Sequence, residues 1–323
     1  MQRQTLIIAA ILLAVAGMAT GPACAIVTRD GQDDSLYRSL GSSTAYDSVG
    51  RFQGTTPNAD FVASGTLVAP EWVLTAAHVV DKAQTLSFSI GGQTYDVDRK
   101  IVYPNWNGNL WSGYDISLVH LVKPVDNIKP ALIYTGSEEL HKTDTVVGFG
   151  KTGGADLGEL VIDGQKRAAL NVISEIENKR LLVADFDKPL PPGAAPLGYA
   201  HALPLEGLIA PGDSGGGLFI TTSTGTYLAG INSFVGSDYG MPHALFGTFS
   251  GHTRVSAFSD WIEARIHGED PEAAPTCPED TASQRTTTYP APEPGSLVLL
   301  AAAAVMLGIS RCLLRRPAAR QAA

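Results

Sequence analysis

The chain has 323 residues, 44% of them hydrophobic and 17% charged, with 34 glycines and 20 prolines. This length admits one large β domain with appendages, and so many turn-forming residues exclude a coiled coil or a mainly helical bundle. Lys and Arg number 23 against 32 Asp and Glu, a formal charge of −9, which argues against binding nucleic acid or an anionic membrane through a basic surface.

The chain begins with Arg3, an apolar run over residues 6–16 and the exit Ala23-Cys24-Ala25. A charged head, a short apolar run and a small-x-small exit predict a signal peptide over residues 1–25. The run is too short for a membrane span, which needs ~20 residues. Residues 26–266 then read as one folded domain. Short apolar stretches recur between Gly, Pro and Asp signals at residues 64–68, 72–74, 116–122, 145–149, 217–220 and 226–231, a pattern that predicts an all-β barrel or sandwich. Near the domain's end, Val255, Phe258, Trp261, Ile262 and Ile266 fall at helical spacing. A C-terminal helix there would seal the end of a barrel.

Three positions along this domain carry chemistry. His78 follows an apolar strand in Thr75-Ala76-Ala77-His78, where two small alanines allow close packing beside the ring. Asp115 opens the apolar strand Ile116-Ser117-Leu118. Ser214 sits in Gly212-Asp213-Ser214-Gly215-Gly216, whose glycines let the backbone turn tightly around the hydroxyl. Serine is a weak nucleophile at neutral pH, so it needs a base for its proton and donors for the oxyanion it creates. A buried carboxylate fixes the tautomer of the base. His78, Asp115 and Ser214 supply these types.

After the domain, residues 267–295 are rich in Pro, Glu, Thr, Ser and Ala and predict a linker without a core. Residues 296–323 form an apolar run ended by Arg311, Arg315 and Arg316. With Pro292-Glu293-Pro294 before it, this tail resembles the PEP-CTERM sorting signal, which implies transient inner-membrane attachment and cleavage by an exosortase. The other reading of the tail is a permanent anchor, since 18 residues run from Leu297 to Leu314 if Arg311 snorkels. Without the terminal arginines, Arg3, Arg311, Arg315, Arg316 and Arg320, the exported part has 18 basic and 32 acidic residues. Cys24 and Cys312 lie in the two terminal segments and Cys277 in the linker, so the folded domain has no disulfide. No metal cluster stands out, and no cofactor is expected.

The motifs around His78, Asp115 and Ser214, in that order, resemble the trypsin/chymotrypsin family of serine endopeptidases. So do Ile26-Val27 at the start of the domain and Thr253-Arg254-Val255 with Asp260-Trp261-Ile262 at its end. The resemblance implies two packed six-stranded antiparallel β-barrels and an acyl-enzyme mechanism on protein or peptide substrates. It also implies an oxyanion hole from the N–H groups of Gly212 and Ser214. Activation would follow from an ion pair between a free Ile26 amine and Asp213, and signal peptidase cutting after Ala25 would create that terminus directly. Thr28-Arg29 stands where the family has two glycines. The disulfide that usually brackets the histidine is replaced by Ala63 and Val79. Leu208 stands where trypsin-like members carry an aspartate, and Ser233, Phe234 and Val235 match the segment that pairs with the substrate backbone. These four residues predict cleavage after small or medium apolar residues, with Asp238 suspect should basic residues be preferred.

Three further readings bear on the same residues. A non-catalytic surface-binding module on this fold would not need an intact triad. An α/β-hydrolase elbow at Ser214, served by Asp238 or Asp260 with His243, His252 or His267, requires a helix directly after the motif. Gly148-Phe149-Gly150-Lys151-Thr152-Gly153 spells part of a dinucleotide or phosphate loop, yet no alternation of strands and helices surrounds it.

Overall fold

The structure is a computed structural model that describes residues 26–158, 161–189, 202–237 and 244–268. The signal peptide, the sorting tail, nearly all of the linker, and Asp238 and His243 lie outside the described residues.

After a short strand β1 (Ile26–Thr28) and a helix α1 (Asp34–Gly41), six strands close into an antiparallel barrel. They are β2 (Val49–Thr55), β3 (Asp60–Ala69), β4 (Trp72–Thr75), β5 (Thr85–Ile90), β6 (Gln93–Val102) and β7 (Ser117–Leu121), in the order β2-β3-β4-β7-β6-β5. Successive side chains of a strand point to opposite faces, so alternate apolar residues fill the interior. Phe52 and Phe88 meet there at 4.8 Å between ring centroids. Leu67, Leu74, Leu118 and Leu121 are fully buried around them. Ala63 and Val79, at the places of the absent disulfide, both belong to this apolar core.

The second half contains β8 (Leu132–Ile133), β9 (Thr143–Gly148), β10 (Lys151–Gly154), β11 (Val161–Ile162), β12 (Arg167–Val172) and β13 (Glu175–Glu177). It continues through β14 (Leu181–Asp185), β15 (Gly207–Leu208), β16 (Gly217–Thr222), β17 (Gly225–Gly236) and β18 (Phe249–Arg254). An eight-stranded sheet runs β12-β9-β16-β17-β18-β14-β13, with β8 beside β17. A smaller sheet has the order β11-β10-β1-β15. Among the described residues the strands of the second half, where a second barrel is expected, are not joined into a closed ring. The free edge of β12 is taken up elsewhere: Leu170 N–H donates to the Leu205 carbonyl at 2.8 Å, and the Asn171 amide donates to Gly207 O at 3.2 Å.

The C-terminal helix is present as a 3₁₀ turn at Val255–Phe258 followed by α3 (Ser259–Ile266). It seals the first barrel, with Tyr103 edge-on to Phe258 at 4.8 Å and to Trp261 at 5.3 Å. Helix α1 is additional to the expected elements, and it turns Tyr37 and Leu40, three residues apart, toward the interior. Its start is local chemistry, since the Asp33 carboxylate accepts the Ser35 N–H at 2.8 Å as an N-cap. Its Asp34 then holds the buried Arg167 guanidinium at 2.6 and 2.8 Å.

Candidate active site

Strand β4 ends at Thr75, and the chain turns at once into a single helical turn, α2 (Ala77–Val80), that carries His78. Its pairing partner β7 begins two residues after Asp115, with Thr75 opposite Ser117. The two strands thus present His78 and Asp115 side by side. The Asp115 carboxylate is fully buried. It accepts the His78 backbone N–H at 2.8 Å through one oxygen and meets Nδ1 at 2.7 Å through the other. With a carboxylate on Nδ1, the proton belongs there and the lone pair of the neutral ring lies on Nε2. Ser233 on β17 donates its hydroxyl to the same carboxylate at 2.5 Å, and Thr253 on β18 donates to the Asp115 carbonyl at 2.9 Å. The acid is therefore clamped between both halves of the molecule.

Ser214 comes from the second half, on the turn that leads into β16. The turn lies tightly against the first barrel. A Cβ on Gly215, where φ is +81°, would lie 1.9 Å from the Thr75 hydroxyl, so only glycine fits there. Ser64 of β3 donates its N–H to Ser214 O at 2.8 Å and its hydroxyl to Gly212 O at 3.0 Å. Along the turn, the N–H groups of Asp213, Gly215 and Gly216 donate to carbonyls. Among the described residues, those of Gly212 and Ser214 donate to none. Among the described residues the Ser214 hydroxyl has no hydrogen-bond partner, and the His78 side chain is 31% exposed.

Behind the serine, Asp213 is fully buried. It accepts N–H bonds from Gly150 at 2.7 Å and Ala210 at 2.9 Å, and a further one from the Ile26 backbone. Burial pushes its carboxyl up to about 7 despite these donors. The glycine run at residues 148–153 thus serves Asp213 and continues into β10, and strand β16 stands where an α/β-hydrolase would have a helix. Ile26 is fully buried with φ at +62°, and it pairs with Thr152 of β10, whose hydroxyl donates to its carbonyl. Thr28 is accommodated in place of glycine by bonding to Gly153 O at 3.3 Å.

The residues singled out for specificity separate into two groups. Leu208 is fully buried beside Val27, its pairing partner, in a cluster with Phe186 and Ala210. Ser233 touches Asp115, while Phe234 lies against the half-exposed Trp111 at 4.8 Å. Val235 packs at the margin of two apolar clusters.

One feature of the site has no local motif in the sequence. Asn232 donates its amide to Asp213 O at 3.2 Å and receives Nδ1–H of the buried His252 at 3.0 Å. His252 Nε2 in turn accepts the Ser250 hydroxyl at 2.8 Å. Burial drives this histidine down to about 3, so it stays neutral and cannot act as a titrating base near pH 7. Among the described residues no group of three or more His, Cys, Asp or Glu side chains could jointly hold a metal ion.

The comparisons with known proteins agree with this architecture. Residues 40–262 match the family Trypsin, and the chain belongs to the trypsin family. It is 39% identical over 72 residues to chymotrypsin-like elastase family member 1 of Canis lupus familiaris, a stretch covering 19% of this chain and 28% of that protein. It is 27% identical over 237 residues to snake venom serine protease 3 of Protobothrops jerdonii, covering 67% of this chain and 80% of that protein. The similarity to alpha-fibrinogenase albofibrase of Trimeresurus albolabris is 27% over 225 residues, 64% of this chain and 79% of that protein. The solved structure of HL collagenase shares the fold with a TM-score of 0.53 at 21% identity, over 71% of this chain and 96% of that one.

Proposed function

We propose that the protein is an exported serine endopeptidase in which His78, Asp115 and Ser214 act as a catalytic triad. The observation that carries this reading is the Asp115 carboxylate, buried and engaged by His78 and Ser233, beside a serine on a tight glycine turn. Nε2 of His78 takes the Ser214 proton as Oγ attacks the substrate carbonyl, and Asp115 stabilises the imidazolium. The oxyanion is received by the N–H groups of Gly212 and Ser214, which have no carbonyl partner of their own. His78 then protonates the leaving amine, and water hydrolyses the acyl-enzyme by the same path in reverse. Phe234 and Val235 with Ser233 form the edge along which a peptide lies, and the apolar environment of Val235 supports cleavage after small or medium apolar residues.

Activation on export follows from Ile26. A β-branched residue inside a chain is strained at φ +62°, because its side chain crowds the preceding carbonyl. A residue with a free amine has no preceding carbonyl. The position therefore suits a terminus better than a mid-chain residue, and its nitrogen already points to Asp213. Cleavage after Ala25 by signal peptidase would relieve the strain and supply an ammonium for a buried carboxylate. The tail at residues 296–323 would hold the protein at the inner membrane until an exosortase acts. Among the described residues no helix is long and apolar enough to cross a membrane.

A fluorophosphonate probe applied to the exported protein, with mass-spectrometric mapping, tests the assembly. Labelling at Ser214 that is lost in His78→Ala is expected. A folded protein that does not label would favour a binding module. Terminal sequencing should give Ile26 first, and any other start overturns the activation scheme.

A further inference from the structure

The first barrel carries a second histidine between carboxylates. His120 on β7 lies opposite Trp72 on β4 and opposite Arg99 on β6. The β6–β7 ladder slips between Val97 and Arg99, which leaves Asp98 as the extra residue of a bulge. Bulges re-aim side chains, and here the Asp98 carboxylate meets His120 Nδ1 at 2.7 Å. On the other side of the ring, Glu71 brings Oε2 to 3.7 Å from Nε2, beyond hydrogen-bond distance. The ring stands edge-on to Trp72 at 4.8 Å, which limits its rotation. Arg99, the neighbouring cation, is stacked over Trp72 at 5.2 Å and forms an ion pair with neither carboxylate.

A carboxylate on Nδ1 fixes the tautomer that leaves the lone pair on Nε2. That lone pair then faces an anionic oxygen. Metal bonds of ~2.0–2.2 Å to each atom would span the 3.7 Å separation at an angle of about 120–135°, open enough for a tetrahedral or five-coordinate ion. We propose that His120 Nε2 and Glu71 Oε2 bind a divalent transition-metal ion of the zinc class, with Asp98 orienting the histidine from behind. The mixed imidazole and carboxylate donors favour such ions over calcium or magnesium, which take oxygen ligands. Water completes the coordination, since His120 is 18% and Glu71 45% exposed. The ion ties the turn before β4 to β7 at the end remote from the Thr75–Ser117 pair, so it stabilises the first barrel.

The test is calorimetric titration of untagged, metal-stripped protein carrying His78→Ala, so that zinc captured by the triad histidine is not counted. One saturable site for Zn²⁺, none for Mg²⁺, and a thermal unfolding midpoint raised by Zn²⁺ are expected. Glu71→Gln and His120→Gln should each abolish the shift in midpoint, and Asp98→Asn should weaken binding about 10–100-fold. All three side chains lie at the surface, and circular dichroism verifies that the variants fold. Absence of zinc binding, or binding unchanged in His120→Gln or Glu71→Gln, overturns the proposal.

Discussion

The two halves of the molecule solve the problem of a β core differently. The first barrel closes on itself, and among the described residues Asp115 is its one fully buried carboxylate. The second half buries Glu139, Asp144, Arg167, Glu206, Asp213 and His252. Some of these are well paired, as Glu139 is with Arg254 at 2.7 and 2.8 Å. Others are not: both carboxylate oxygens of Asp144 lack a hydrogen-bond partner, and burial raises its pKa well above the usual range. One half supplies an apolar frame for His78 and Asp115. The other carries the serine turn on a polar interior whose stability depends on proton and charge placement.

The largest break in that arrangement is at the junction. Ser214→Ala or His78→Ala should reduce kcat/KM by roughly 10⁴–10⁶-fold with the fold intact, as removal of a member that acts with the others as a unit does. Ser233→Ala removes one hydrogen bond from a charged acceptor, and about a ten- to hundredfold loss is expected, read mainly in kcat. An equal loss in Ser233→Ala and His78→Ala would mean that Ser233 does more than hold Asp115.

Next in size are substitutions that probe each core by its own chemistry. Glu139→Ala leaves Arg254 without its carboxylate and should cost about 3–5 kcal/mol in urea unfolding. Leu118→Ala in the first barrel should cost about 2–5 kcal/mol through its cavity, independent of pH. A loss below about 1 kcal/mol for Glu139→Ala would place that pair with ordinary exposed salt bridges.

What the sequence reveals is spread over both halves. Strands β3, β4 and β7 of the first barrel and β9, β16 and β17 of the second half follow from apolar stretches between turn residues, whereas β2, β5 and β6 do not, and His78, Asp115 and Ser214 stand in short local motifs. The Ser233 bond to Asp115 joins residues 118 positions apart, and the Asn232–His252–Ser250 chain depends on how β17 and β18 pair. Neither has a local signature. Asp144 stands just before the apolar stretch 145–149, yet it is 1% exposed, because β12 and β16 flank β9 on both sides. The open edge of the second sheet depends on where residues 205–207 return, which periodicity does not encode.

A smaller effect separates the halves by pH. Burial raises both Asp213 and Glu206 to about 7, and Asp144 is raised as well. In each case the unfolded chain releases its proton first as pH rises. The stability these groups contribute is therefore complete below about pH 4 and lost as pH climbs through about 7. Asp144→Asn should flatten part of this slope in unfolding measured across that range. The Asp213 share should differ between a chain that keeps residue 25 and one that begins at Ile26. In the former the carboxylate meets only amide N–H groups. In the latter an ammonium favours its charged form, so the slope should be shallower. Identical slopes in the two proteins would show that the Ile26 amine does not reach Asp213.

The smallest effect concerns the tie between the halves. Ser64 is fully buried, accepts the Phe149 N–H at 3.0 Å and donates to Gly212 O at 3.0 Å. One hydroxyl of the first barrel thus holds two segments of the second, including the glycine turn that carries Ser214. Ser64→Ala should cost about 1 kcal/mol of stability, the typical net value of such a bond. If Gly212 N–H serves the oxyanion, the same change should lower kcat more than it raises KM, because the donor matters most when charge develops. A pure stability loss with unchanged kcat would show that the turn keeps its geometry without help from the first barrel, and that the apolar frame acts only by presenting His78 and Asp115.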